Sequence, residues 1–446
     1  MRHKILFTII LSCACIAFNY AQNKIDFTEY DLANGMHVIL HQDESTPIVA
    51  VTLMYHVGSK NEQPDRTGFA HFFEHLMFEG SPNIPRGEYF KIVQNAGGQL
   101  NANTSFDRTF YYEILPSNQL ELGLWLESER LLHLKIDSVG VETQRKVVIE
   151  ERHQGLDNQP YGSILEETFK RAFKKHPYHW IPIGSAQYID KATIDEFMNF
   201  YKTFYVPQNV TLSIAGDINI DDTKILIDKY FGGIPAGTKN IYRPDVVEPP
   251  QTIEIRDTVY DNIQLPLVLQ AYHMPAQGTP DYYALNMLTT ILSTGQSSRF
   301  YKQLVDTEQK AVQAGSIPFA LEDPGLFITY GICNAGVKAN DLEASMDKEL
   351  EKVKNQLITE EEFQKIKNQV KNNFVSQNST DAGMAENLAT YHVFFGNTNL
   401  INTNLDNFMN VTREDIKRVA GKYLTKQNRV VLYYLPKSEE PKKEGK

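Results

Sequence analysis

The chain has 446 residues and a mass of 50.9 kDa, above the usual size of a single domain, so two or three units with separate cores are expected. Hydrophobic residues at 42%, aromatic at 11% and charged at 22% match a folded globular protein and exclude the composition of a disordered chain. With 44 Lys and Arg against 55 Asp and Glu, the formal charge is −11, so there is no basic footprint for phosphate backbones and nucleic acid is not an expected partner.

Arg2, His3 and Lys4 precede an almost wholly apolar run from Ile5 to Phe18, the order of an export signal and too short to span a bilayer comfortably. Cleavage after Ala21, before Gln22, fits the need for a small residue at the cut. The alternative is lipoprotein processing at Cys13 or Cys15, which would tether the protein to a membrane. Removal through Ala21 leaves Cys333 as the lone thiol, which can form no internal disulfide, and excludes a cysteine-based metal site. No other stretch is long and apolar enough for a transmembrane helix.

Strand-like alternation follows at 36–41 and 48–57, then a helical run at 69–78 that stops before Gly80. Strands are expected at 99–105 and 109–115, and helices at 120–134, 141–154 and 161–174. Gly232, Gly233, Pro235, Gly237, Pro244, Pro249 and Pro250 concentrate chain breakers between periodic segments and mark a linker. The expected organisation is a signal at 1–21, a unit at 22–235, a linker at 236–250, a second unit at 251–436 and a polar disordered tail at 437–446.

The two units read as copies. Thr193-Ile194-Asp195-Glu196 opens a helix with a capping box that leads to Gln208-Asn209-Val210, and Thr412-Arg413-Glu414-Asp415 leads to Gln427-Asn428-Arg429, both at an offset of 219. Tyr55-His56 and Tyr272-His273 echo this at an offset of 217. The fold expected is therefore α+β, an internal duplication of a unit of about 220 residues.

Most of the chemical information lies between Gly68 and Gly80. On a helix, His71, Glu74 and His75 fall on one stripe, surrounded by Phe69, Phe72, Phe73, Leu76 and Met77. Two imidazoles and a carboxylate converging in a buried setting need partners. One answer is hydrogen bonding among themselves. The other is a zinc ion held by His71 and His75, with Glu74 free to meet its water. A third ligand is then required, and Glu150 or Glu151 could supply it; spacing does not choose between them. His176 and His179 lie in a loop, off any regular stripe, and read as structural.

Gly68 to Gly80, followed by Gly97-Gly98-Gln99-Leu100-Asn101-Ala102 and Tyr111-Tyr112, resembles the inverted-zincin family of pitrilysin, insulin-degrading enzyme and mitochondrial processing peptidase. The closest likeness is to its two-domain bacterial members. In that family a Glu about 76 residues beyond the second His completes the zinc site, which here selects Glu151. The resemblance extends to Leu124–Arg130, His176–Gly184, Ala215-Gly216-Asp217 and the duplication. It implies two domains, each a mostly antiparallel sheet with packed helices, that together form half of a clam-shell chamber. Glu74 would act as general base, and Asn101, Ala102 and Asn103 would bind a peptide substrate along an edge strand.

Two departures stand out. Gln144 occupies the position where the family often has a second Glu, so it contributes no charge to the metal site. In the second copy, Leu288, Ile291 and Leu292 replace the metal-site residues. The family's Arg and Tyr, which bind substrate from the non-metal half, correspond here to Val305 and Val312; Arg299 and Tyr301 have the wrong position and spacing. The resemblance thus implies an exported zinc endopeptidase working as a heterodimer with a homologous subunit that supplies the Arg and Tyr, a homodimer being the runner-up. A non-catalytic structural subunit and a dedicated precursor-maturation subunit are the alternatives of the same fold.

Overall fold

The computed structural model describes residues 24–441, so the expected signal and the last residues of the tail lie outside it. Two sheets organise the chain. The first contains β1 (Thr28–Asp31), β2 (His37–Gln42), β3 (Ile48–Tyr55), β4 (Gln99–Thr104), β5 (Thr109–Pro116) and β6 (Val210–Gly216), in the order β1-β2-β6-β3-β5-β4. The second contains β7 (Ile255–Asp261), β8 (Leu267–His273), β9 (Ala311–Phe319), β10 (Leu326–Cys333) and β11 (Arg429–Pro436), in the order β7-β11-β8-β10-β9. Reading β2, β6, β3, β5 and β4 against β7, β11, β8, β10 and β9 gives the same order. It also gives the same senses: β2 with β6 and β7 with β11 are parallel, and the other pairs antiparallel. The duplicated α+β architecture expected from the repeated caps is what the chain adopts. Both capping boxes form, Thr193 with Glu196 and Thr412 with Asp415.

β3 is buried on both faces, which explains its near-continuous apolar run. Val49, Val51, Leu53 and Tyr55 join the core under the first half's own helices, whereas Ala50 packs with Met384, Ala385 and Leu388 of the Asp381–Phe395 helix from the second half. The exchange is reciprocal. Phe169 and Ala172 of the Ile164–Ala172 helix pack with Leu267, Leu269, Ile328 and Leu432 of the second sheet. Each half therefore covers the outer face of the other's sheet, and hydrophobic burial couples the two.

Polar contacts reinforce the junction. Lys60, only 4% exposed, places its ammonium 3.1 Å from Asp107 and 3.1 Å from Asp323, and also pairs with Glu322. No regular element lies between Phe231 and Ile255 among the described residues. That segment is nonetheless pinned, because Glu248 accepts the N–H groups of Lys174, Lys175 and His176 at 2.8 Å each.

Several boundaries differ from expectation. The helix expected at 141–154 spans Ser138–Arg152, because Asp137 caps it by accepting Gly140 N–H at 2.8 Å. Tyr161, expected inside a helix, has φ 61° and spends its hydroxyl on the Leu265 carbonyl. The short β1 strand and the Tyr89–Asn95 helix carried too little periodicity to be read. At the C-terminal end, Lys437–Glu439 form one 3₁₀ turn after β11. No described helix is long and apolar enough to cross a membrane.

Candidate active site

The Phe69–Leu76 helix is only eight residues long and depends on tertiary contacts for its stability. Phe72 stacks on Phe197 at 4.4 Å, and Phe73 on Phe200 at 5.4 Å, against the Ile194–Phe204 helix. Emptying one such position costs about 3–5 kcal/mol in typical cores. At its N-terminus the buried Glu62 carboxylate accepts Gly68 and Ala70 N–H groups at 2.8 Å each, satisfying two of the free donors at a positive helix end. Gly68 has φ 96°, and a Cβ there would lie 2.8 Å from the Ile183 carbonyl, so the entry to the helix requires glycine on two grounds.

The stripe opposite the phenylalanines carries His71, Glu74 and His75. The Ser138–Arg152 helix runs alongside and delivers Glu151: its Oε2 lies 3.2 Å from His75 Nε2 and its Oε1 3.7 Å from His71 Nε2. Arg152 locks the end of that helix, donating to the Gly184 carbonyl at 2.6 Å and to Glu166 at 2.9 Å. Glu150 faces away, is exposed, and accepts from Gln154 at 2.7 Å. The structure thus brings Glu151, and not Glu150, to the two histidines.

One donor atom each from His71, His75 and Glu151 lie within 4.8 Å of one another. The 3.2 and 3.7 Å separations bracket the roughly 3.3 Å expected between ligands of a tetrahedral zinc at 2.0–2.1 Å. The donor set and spacing therefore fit a zinc ion with one position left open. Burial, and then the neighbouring His75, push the His71 imidazole down to about 4, which keeps it neutral and able to ligate. The hydrogen bond to His75 holds the Glu151 carboxyl below its usual range. His71 Nδ1 is buried without a protein partner among the described residues.

Glu74 stands apart from that trio. Thr104, the last residue of β4, donates to Glu74 Oε2 at 2.7 Å. Burial raises the Glu74 pKa, against the lowering effect of this hydrogen bond. The arrangement leaves one Glu74 oxygen without a protein donor among the described residues. Thr104 was missed in the sequence because its role depends on how β4 sits on the helix, although its position in the alternating 99–105 stretch puts it on the face of Leu100 and Ala102.

β4 is the outermost strand of its sheet and, among the described residues, pairs only with β5, leaving its other edge without a strand partner. Asn101 and Asn103 are exposed and Ala102 half-buried, a pattern suited to receiving an extended chain. Gln144 does not reach the histidines; it donates to Glu79, which also pairs with Arg86. His176 and His179 take structural partners, Asp323 and the Phe173 carbonyl. A cavity of about 470 Å³ between Phe69, Phe200 and Arg66 contains none of the four site residues.

In the second half, Leu288, Ile291 and Leu292 are packed in its apolar core. Val305 packs against the same core, and Val312 is 48% exposed on β9. Arg299 is held by Glu362 through two 3.0 Å hydrogen bonds.

Both halves of the chain are similar to known proteins. Residues 37–180 match the family model described as insulinase (peptidase family M16), and residues 191–370 match the one described as peptidase M16 inactive domain. The zinc protease PqqE of Helicobacter pylori is 32% identical over 91% of this chain and 92% of its own length. A crystal structure of a protease from Helicobacter pylori superposes with a TM-score of 0.89 at 32% identity, over 92% of this chain and 99% of that one. The periplasmic protease PqqL from Escherichia coli shares the fold, with a TM-score of 0.75 at 18% identity; the match covers 92% of this chain and 47% of that protein.

Proposed function

From the membership of this chain in the insulinase (M16) peptidase family, we infer that it is a zinc-dependent endopeptidase acting on peptides or unfolded protein segments. The observation that carries the reading is a division of labour: His71 and His75 converge with Glu151 of the neighbouring helix, while Glu74 is held separately by Thr104.

His71, His75 and Glu151 would hold the ion, and Glu74 would be the general base. A bound zinc supplies Lewis acidity toward water and the scissile carbonyl. Thr104 fixes one oxygen of Glu74, leaving the other to take a proton from the attacking water and deliver it to the leaving amine. The open edge of β4 would pair with the substrate backbone, with Asn101, Ala102 and Asn103 alongside, so that recognition is chiefly main-chain and tolerant of sequence. Gln144, tied to Glu79, would serve to brace the helix end and add no charge to the ion.

The second half has no comparable ligand set at the equivalent positions, and Val305 and Val312 cannot donate a hydrogen bond to a developing oxyanion. With Arg299 engaged by Glu362, the chain would be the catalytic subunit of a heterodimer whose homologous partner supplies an Arg and a Tyr. The unit boundaries proposed are 22–235 and 251–436, with export after Ala21 to the periplasm or exterior.

The test is digestion of a mixed peptide library by the purified chain, zinc-loaded and chelator-treated, with and without a homologous partner. Zinc-dependent cleavage that a partner enhances supports the reading. A zinc-loaded chain that cleaves nothing with any partner would return it to the structural-subunit alternative.

A further inference from the structure

Three potential metal ligands from both halves of the duplication meet on elements other than those of the candidate active site. Glu29 on β1, His37 on β2 and His392 on the Asp381–Phe395 helix each bring a donor atom to within 4.8 Å of the others. The hairpin register explains the first pair. Asp31 lies directly opposite His37, and Glu29 two residues back on the same face of the sheet.

His37 is arranged as metal-bound histidines are. Its Nδ1 contacts Asp31 Oδ1 at 2.7 Å, and its Nε2 lies 3.4 Å from Glu29 Oε2. A proton on Nδ1, shared with Asp31, leaves the Nε2 lone pair directed toward Glu29, the carboxylate–histidine pairing that orients a metal ligand. The 3.4 Å separation is close to the roughly 3.3 Å between ligands of a tetrahedral zinc at 2.0–2.1 Å. Glu29 is itself positioned, since the Thr398 hydroxyl donates to its Oε2. His392 lies over His37 with ring centroids 3.5 Å apart and planes within 5°. His392 offers a ring nitrogen to the trio.

We propose that Glu29, His37 and His392 form a second zinc site, structural in role, that fastens the β1–β2 hairpin to the second half of the chain. Two imidazoles and one carboxylate suit a borderline divalent ion, with water completing the shell. Parallel stacked rings cannot both aim a lone pair at one ion. Binding therefore requires His392 to turn out of the stack, so that one of its ring nitrogens faces the same ion as His37 Nε2 and Glu29. Because the ligands come from positions 29, 37 and 392, only the folded chain presents them together, and zinc should raise the melting temperature.

The experiment strips the protein with chelator, equilibrates it with zinc alone, and measures zinc per chain and melting temperature. Wild type should hold two zinc ions. His392→Ala and the milder Glu29→Gln should each hold one, keep wild-type peptide turnover, and lose part of the zinc-induced rise in melting temperature. Melting curves of metal-free variants that match metal-free wild type separate ligand loss from misfolding. His71→Ala with His75→Ala should also hold one zinc, which tests the catalytic assignment separately. A zinc content that is the same in wild type, His392→Ala and Glu29→Gln overturns the second site, whatever happens at His71 and His75.

Discussion

The Thr104 hydroxyl donates a 2.7 Å hydrogen bond to Glu74 Oε2, joining the end of the edge strand β4 to the helix that carries the histidines. The strand proposed to receive substrate and the carboxylate proposed to activate water are thus fixed to each other, so a peptide aligned on β4 is also aligned on Glu74.

Removing this hydrogen bond should disturb the base without disturbing the ion. Thr104→Val is expected to lower kcat about tenfold, the worth of a hydrogen bond to a charged group, while zinc content stays at the wild-type level. Thr104→Ser should restore most of the activity. Steady-state kinetics with metal analysis checks this; an unchanged kcat in Thr104→Val would mean that the hydrogen bond does not position the base.

The adjacent acids on the Ser138–Arg152 helix should behave oppositely. Glu151 meets both histidines, whereas Glu150 is exposed and engaged by Gln154. Glu151→Ala should hold one zinc fewer than wild type and lose turnover, and Glu150→Ala should match wild type in both. Metal loss in Glu150→Ala instead would move the ligand role.

The junction between the halves should weaken in acid. The His176 imidazole 3.4 Å away, with Lys60 adding to it against burial, holds the Asp323 carboxyl down to about 2. An unfolded aspartate titrates at about 3.9, so the folded carboxyl gives up its proton more readily than the unfolded one. Its stabilisation is therefore fully present above about pH 4 and is lost as pH falls toward 2. Asp323→Asn should be less stable than wild type at pH 7, and the difference should shrink across that window. Urea unfolding of both proteins from pH 7 downward checks the sign; a difference that grew in acid would contradict it.

The helix with His71, Glu74 and His75 was legible because local spacing alone puts those residues on one face, and both capping boxes were legible because a cap is a four-residue pattern. The choice of Glu151 over Glu150 came from family resemblance, since their rotational offset could not be referred to a helix not yet placed. Glu62, which caps the helix from a loop, and the exchange of the Ile164–Ala172 and Asp381–Phe395 helices were not legible. Nor was the meeting of His37 with His392, because residues hundreds of positions apart meet only through the packing of one half on the other.

The proposed mechanism depends most heavily on Glu74 being the base and not a ligand. Zinc content and peptide turnover of Glu74→Gln, measured on the same preparation with its partner present, test this directly. The expected result is the wild-type zinc content with turnover reduced by about 10²–10⁴-fold, the range associated with loss of a general base. Turnover within a few-fold of wild type, or loss of a zinc ion from Glu74→Gln, would contradict it.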